Sequence, residues 1–150
     1  IAGDGETKYV DGLHETVQRH GLDDSVSFLG FVSGDEKERV LREAWAFALP
    51  SHQEKFGVAV LEAVAAGLPV VISGEVQLCS FVEQDALGVV VDRTNTSDVA
   101  AGLRNVLADG AGRRRIAEQG PAAVQDTFSV ERVGKQLRRM YEHALETALQ

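Results

Sequence analysis

Short apolar runs set between stretches of helical period constrain this chain more than any other feature. Ala46–Leu49, Pro69–Ile72 and Gly88–Val91 are apolar or glycine at every position. A strand without polar alternation has no face for water, so both faces must be covered. Parallel sheets with helices packed on each side meet that demand. The alternation therefore predicts an α/β fold, a doubly wound parallel sheet, carried by one domain over residues 1–150.

The expected order is strand, helix, strand, helix, strand, helix, strand, a variable loop, strand, then helices. Ile1–Gly3 reads as the end of a strand, with Gly3-Asp4-Gly5 as the turn after it. Residues 7–20 run at helical period, with Val10, Leu13 and Val17 on one face and Gly21 as the stop signal. Val26–Val32 is expected as a strand, and Ser33 as the cap of a helix holding Val40, Leu41 and Ala44, with Glu36 completing a capping box. Ala46–Leu49 is expected to be a fully buried strand closed by Pro50. After the loop Ser51–Lys55, a helix runs from Gly57 to Ala66 and ends at Gly67. Three further helices are expected at about 96–108, 111–126 and 130–148.

Charge and cysteine usage exclude several classes. The 150 residues carry 15 Lys and Arg against 23 Asp and Glu, a net charge of −8. Such a surface has no general attraction for nucleic acid or anionic membrane, so no nucleic-acid partner is expected. Any phosphate must be held locally, by backbone amides or a few placed cations. Cys79 stands alone, which leaves no disulfide framework and no cysteine-built zinc site within the chain. That fits a reducing, cytoplasmic setting. The most apolar stretch, Phe56–Ile72, contains Glu62 and Pro69 and its charge-free piece is shorter than the ~20 residues a membrane span needs.

The informative segment is Pro50–Pro69, PSHQEKFGVAVLEAVAAGLP. It leaves the carboxyl end of a strand, where open α/β sheets bind ligands, and enters a helix near Phe56-Gly57-Val58. Free first-turn amides and the positive end of the helix dipole suit a phosphate or diphosphate there, and Gly57 lets the backbone approach it closely. Glu62 lies in a helix that is apolar nearly all round, where a carboxylate is costly without a partner. Its helical neighbours Val58, Ala59, Ala65 and Ala66 offer no side-chain donor. On these grounds Glu62 meets solvent at the helix end, pairs with a distant Arg, or meets a ligand.

Glu54 and Glu62, with seven residues between them, stand inside Pro-Ser-x-x-Glu-x-Phe-Gly-x-x-x-x-Glu-Ala-x-Ala-x-Gly-x-Pro-Val-Val. This resembles the Glu-x7-Glu motif of retaining GT-B glycosyltransferases, specifically glycosyltransferase family 4 (glycosyl transferases group 1). Gly3-Asp4-Gly5, Phe28-Leu-Gly-Phe-Val-Ser33 and Phe128-Ser129 before a helix containing Tyr141 extend the resemblance over nearly the whole chain. It implies a Rossmann-like domain, the carboxyl-terminal half of a GT-B fold, that binds a nucleotide diphosphate sugar. Glu54 would orient the transferred sugar as the catalytic residue, and Glu62 would accept from the ribose hydroxyls. The amides of Phe56, Gly57 and Val58 would hold the diphosphate or sugar. Val32 would pack against or hydrogen-bond the nucleobase, with Lys37 its neighbour. The resemblance implies no metal and no cofactor beyond the donor substrate. It implies a saccharide or lipid-linked acceptor, held by an N-terminal domain absent from this chain, to which any peripheral membrane contact would fall.

The departures bear on activity. The family's Gly-Arg turn and following Lys have no counterpart here and are expected before residue 1, so the isolated chain is expected to be inactive. Lys55 stands where Gly is common, and Ser73–Leu78 replaces a frequent Gly-Gly loop. An alternative reading is a non-catalytic α/β module that binds nucleotides or partners; an epimerase is disfavoured by the complete Glu-x7-Glu segment. Ser51 and His52 are not expected to form a nucleophile and base, since neighbours on one loop rarely meet in triad geometry. His14, His20 and His143 are expected to be solvated, Arg113-Arg114-Arg115 to be an exposed helix start, and Cys79 to be an inert thiol.

Overall fold

The computed structural model describes residues 1–148 and divides into two compact units, Ile1–Val40 and the chain from Leu41 on. In the first unit, helix α1 (Thr7–Arg19) presents Val10, Leu13 and Val17 as its half-buried face, as its periodicity predicts. The segments before and after it meet in one parallel bridge, Ala2 to Gly30, with the Gly3 amide donating to the Gly30 carbonyl at 2.7 Å. Val26–Val32 is therefore not a full strand. Gly30 turns left-handed at φ +65°, which breaks the extended run after a single pairing. His14 is exposed but not idle: its ring lies 3.9 Å from that of Phe28. Helix α2 (Gly34–Glu43) begins in this unit.

The second unit is built on a parallel sheet of β1 (Phe47–Leu49), β2 (Val70–Ser73) and β3 (Gly88–Val91), in that order. Phe47 pairs with Val70 and Val70 with Gly88. Helices α3 (Val58–Ala65) and α4 (Cys79–Gln84) follow β1 and β2, and α5 (Thr96–Ala108), α6 (Gly110–Phe128) and α7 (Val130–Ala148) follow β3. Strand alternation assigns the faces. Val70, Ile72 and Val90 join Val60, Ala63, Val64 and Ile116 of α3 and α6 on one side, while Val71, Val89 and Val91 join Val99, Leu103 and Val106 of α5 on the other. The double winding of the second unit is thus visible residue by residue.

Two expectations change here. β1 is half-buried rather than fully buried, with Ala48 exposed, because it is the edge strand and α5 packs chiefly on β2 and β3. The variable loop contains a helix, α4, whose Val82 is fully buried. The end of α3 is fixed by a left-handed Gly67 (φ +82°), whose amide donates to Val64 while that of Leu68 donates to Ala63. These are the two bonds of a Schellman stop. A Cβ at Gly67 would stand 3.0 Å from the Ala117 Cα, and one at Gly120 would stand 2.8 Å from the Val64 carbonyl. The two glycines therefore let α3 and α6 approach backbone to backbone.

Candidate functional site at the carboxyl edge of the sheet

Glu54, Phe56, Gly57, Val58 and Glu62 all belong to the second unit, on and after the loop that leaves the carboxyl end of β1. Val32 and Lys37 belong to the first unit, where both are half-buried. The loop is pinned in steps. Ser51 is tied to β2 by the Ser73 hydroxyl, which donates to its carbonyl at 2.6 Å. Three residues on, Glu54 forms a parallel bridge with Val76. Glu54 then turns its carboxylate back, and Oε1 accepts from the Gly57 amide at 3.2 Å.

Gly57 is the N-cap of α3 and adopts φ 86°, ψ 48°. That left-handed turn is strained for any residue with a Cβ, and a Cβ there would stand 3.1 Å from Val76 Cγ1. The glycine thus swings the chain from loop to helix, and the amides of Val58 and Ala59 that follow it precede any carbonyl the helix can offer them. The chemistry of this corner is that of an anion and hydroxyl site: N–H donors at a dipole's positive end beside carboxylate acceptors.

Glu62 is half-buried, not enclosed. Val60, Ala63 and Val64 form the buried side of α3, while Val58 is 59% exposed. Glu62 is one turn from Val58 on that open side, and helical side chains lean toward the N-terminus. Glu54 thus meets the start of α3 through Gly57, and Glu62 stands one turn further along the open side. The expectation of a buried helix holds for one face only, and the open face carries the acid.

The side chain of Phe56 has a role that its amide alone does not express. Its ring meets Phe128 edge-on at 5.9 Å, and Phe128 meets Phe81 edge-on at 5.0 Å. This row of three rings ties the loop to the end of α6 and to α4; such contacts add to burial itself. Only the tertiary structure shows it. Ser51 Oγ accepts from the Gln53 amide at 3.3 Å, a local turn bond rather than a catalytic one.

A cavity of 430 Å³ lies at the opposite edge, beside Pro69 and Gly88 at the amino ends of the strands. Its arginines are not waiting for phosphate. Arg113 stacks 4.8 Å over Trp45 and donates to the Leu107 carbonyl, and Arg115 donates to the carbonyls of Asp85 and Ala86. They cover the carboxyl ends of α5 and α4, where cations are favoured. The expectation of an exposed basic run is corrected for both, which are half-buried. Among the described residues, no cluster of three His, Cys, Asp or Glu has metal-binding geometry, and no helix is long and apolar enough to cross a membrane.

Comparison with known proteins places this geometry. The profile of the family described as glycosyl transferases group 1 matches residues 1–123. An uncharacterized glycosyltransferase of Methanocaldococcus jannaschii is 33% identical over 146 residues, which are 97% of this chain and 37% of that one. The D-inositol 3-phosphate glycosyltransferase of Salinispora tropica is 36% identical over 133 residues, 89% of this chain and 27% of that protein. The chain thus spans about a third of the length of such relatives. Among solved structures, Anabaena HepE in complex with UDP and glucose is similar with a TM-score of 0.82 and 26% identity, over 95% of this chain and 39% of that one. The chain belongs to the glycosyl transferases group 1 family, with the α/β architecture of the carboxyl-terminal domains of GT-B glycosyltransferases.

Proposed function

We propose that the chain is the donor-binding domain of a retaining family 4 glycosyltransferase, which moves a hexose from a nucleotide diphosphate sugar to a saccharide or lipid-linked acceptor. The observation that carries this reading is the corner made by Glu54 and Gly57. A carboxylate and a first-turn amide share one hydrogen bond at the carboxyl edge of the sheet, at the N-cap of α3. A donor presents both matching partners, sugar hydroxyls for the carboxylate and phosphate oxygens for the amides.

In this reading Glu54 orients the sugar, Glu62 accepts from the ribose, and the amides of Phe56, Gly57 and Val58 hold the diphosphate or the sugar. Val32 and Lys37 serve the nucleobase. HepE has been solved with UDP-glucose, which supports a nucleotide sugar as the class of donor. The reaction needs no resident metal, runs in the cytoplasm, and takes its acceptor on a separate N-terminal domain. The isolated chain binds the nucleotide weakly and transfers nothing.

Titration calorimetry of the chain with UDP, GDP and ADP tests the proposal. Weak binding of one of the three is expected. No detectable binding of any at millimolar ligand would overturn it.

A further inference from the structure

Among the described residues, the one fully buried polar side chain is that of Ser73, at 0% exposure. It ends a strand whose other three members, Val70, Val71 and Ile72, are apolar and also fully buried. A buried hydroxyl is costly unless it is hydrogen-bonded. Here the hydroxyl donates to the Ser51 carbonyl at 2.6 Å, across 22 residues of chain. The ladder between β1 and β2 has its last pair at Leu49 and Ile72. The Ser73 bond carries the connection past that end.

Three ties then follow one another along the loop: Ser73 to Ser51, Val76 to Glu54, and Glu54 to Gly57. The second is a backbone pairing that most substitutions keep. The third is made by Glu54 itself. Only the first depends on a side chain outside the loop, and it fixes the point from which the chain departs, three residues before Glu54. Freed there, Ser51–Gln53 would swing on Pro50, and the carboxylate would lose its aim toward the start of α3.

We propose that Ser73 is a positioning residue for Glu54. Its hydroxyl anchors the loop root so that the Glu54 carboxylate stays aligned with the Gly57 amide and, on the nucleotide-sugar reading, with the donor sugar. It touches no substrate; it acts through Glu54. The role requires a donor group small enough for the end of a packed strand. Serine fits that demand, alanine leaves the Ser51 carbonyl without its partner, and threonine keeps the hydroxyl.

Two measurements on the chain separate this inference from the functional reading on which its last step rests. The first is amide hydrogen exchange by NMR, which needs no ligand. Ser73→Ala should speed exchange at Gly57 by about 5–10-fold, the scale of one hydrogen bond, and leave the Val70 amide, bonded to Leu87, at its original rate. Ser73→Thr should restore the slow rate at Gly57. An unchanged Gly57 rate in Ser73→Ala, or an equal rise at Gly57 and Val70, would overturn the positioning role. The second is calorimetry with UDP and with UDP-glucose. Ser73→Ala should erase the extra affinity that the sugar confers while leaving UDP itself unaffected. Loss of affinity for both ligands alike would also count against the inference. If the unaltered chain binds neither these nor the GDP and ADP counterparts, the nucleotide-sugar reading falls, and the exchange data still decide the anchoring of Glu54.

Discussion

Oε1 of Glu54 accepts a hydrogen bond from the amide of Gly57, 3.2 Å away and three residues along the chain. The carboxylate proposed to orient a sugar is therefore also an acceptor for the first turn of α3. On the proposed reading, a donor that reached this corner would exchange one acceptor for another. Its phosphate or hydroxyl oxygen would take the amide, and the carboxylate would turn to the sugar.

That double role predicts different outcomes for two substitutions at one position. Glu54→Gln keeps an acceptor for Gly57 and should melt like the unaltered chain. Glu54→Ala should lose about 0.5–2 kcal/mol of stability, the range for removal of a helix cap. In an enzyme containing this domain, both should cut turnover by about 10²-fold, ~2.7 kcal/mol of barrier, with little change in nucleotide affinity. Paired steady-state kinetics and calorimetry check the split. Intact turnover with lost nucleotide binding would reverse the two glutamate roles.

For Glu62, on the open side of α3, the expected change is in binding. Glu62→Gln should weaken donor affinity by about 1.5–3 kcal/mol, as for a hydrogen bond to a charged group. The melting curve should stay where it is, since the amide is isosteric and cheaper to bury. Calorimetry beside a thermal melt gives the answer, and unchanged affinity with normal melting would remove the ribose role.

Gly57→Ala tests the hinge of the site. A Cβ at φ 86° costs about 1–2 kcal/mol from backbone strain alone, before the 3.1 Å approach to Val76 Cγ1 is relieved. Urea denaturation should show a loss of at least that size. Nucleotide affinity should fall with it. A variant as stable as the original would mean that the left-handed turn is not required.

Glu75 gives the molecule a pH dependence at the same edge. It pairs with Arg93 of the loop after β3, Oε1 to Nε at 3.2 Å. Its own backbone amide, and after it the Arg93 guanidinium, hold the carboxyl below its ordinary value. A carboxylate whose folded value is lowered adds stability that is complete above the unfolded value and is lost as pH falls through the folded one. The link between the β2 and β3 loops should therefore persist at neutral pH and loosen below the ordinary value of 4.5. Thermal melts in acid should show a steeper decline for the unaltered chain than for Glu75→Gln. Parallel declines would exclude this pair as a source of acid sensitivity.

The sheet of the second unit and its flanking helices other than α4 were legible in the sequence because alternate burial leaves a mark at every residue. Val70 and Ile72 go to one core and Val71 to the other, and an unbroken apolar run is what such a strand must contain. α5, expected at about 96–108, runs from Thr96 to Ala108, and Asn95 caps it by accepting from the amides of Ser97 and Asp98. Glu54 and Glu62 were singled out by resemblance to a family motif, and the structure sets them on the loop and helix that follow β1. What the sequence hid depends on distant contacts. α4 has no side-chain cap to announce it, the Ser73–Ser51 tie crosses two strands, and Arg113 and Arg115 find carbonyls that no local pattern foretells. Gly30 misled the strand expectation because its left-handed turn obeys the loop around it, not the β-rich neighbours.

The row of Phe56, Phe128 and Phe81 separates two kinds of boundary. The family profile ends at residue 123, and by that measure everything which identifies the domain is already present. Mechanically the domain ends later, because the middle ring of the row stands at 128. A chain cut where the profile stops would retain both glutamates and the glycine between them. Yet Phe56 and Phe81 would each lose the one ring they share, and the turn between Glu54 and Gly57 would lose its aromatic mooring to the end of α6.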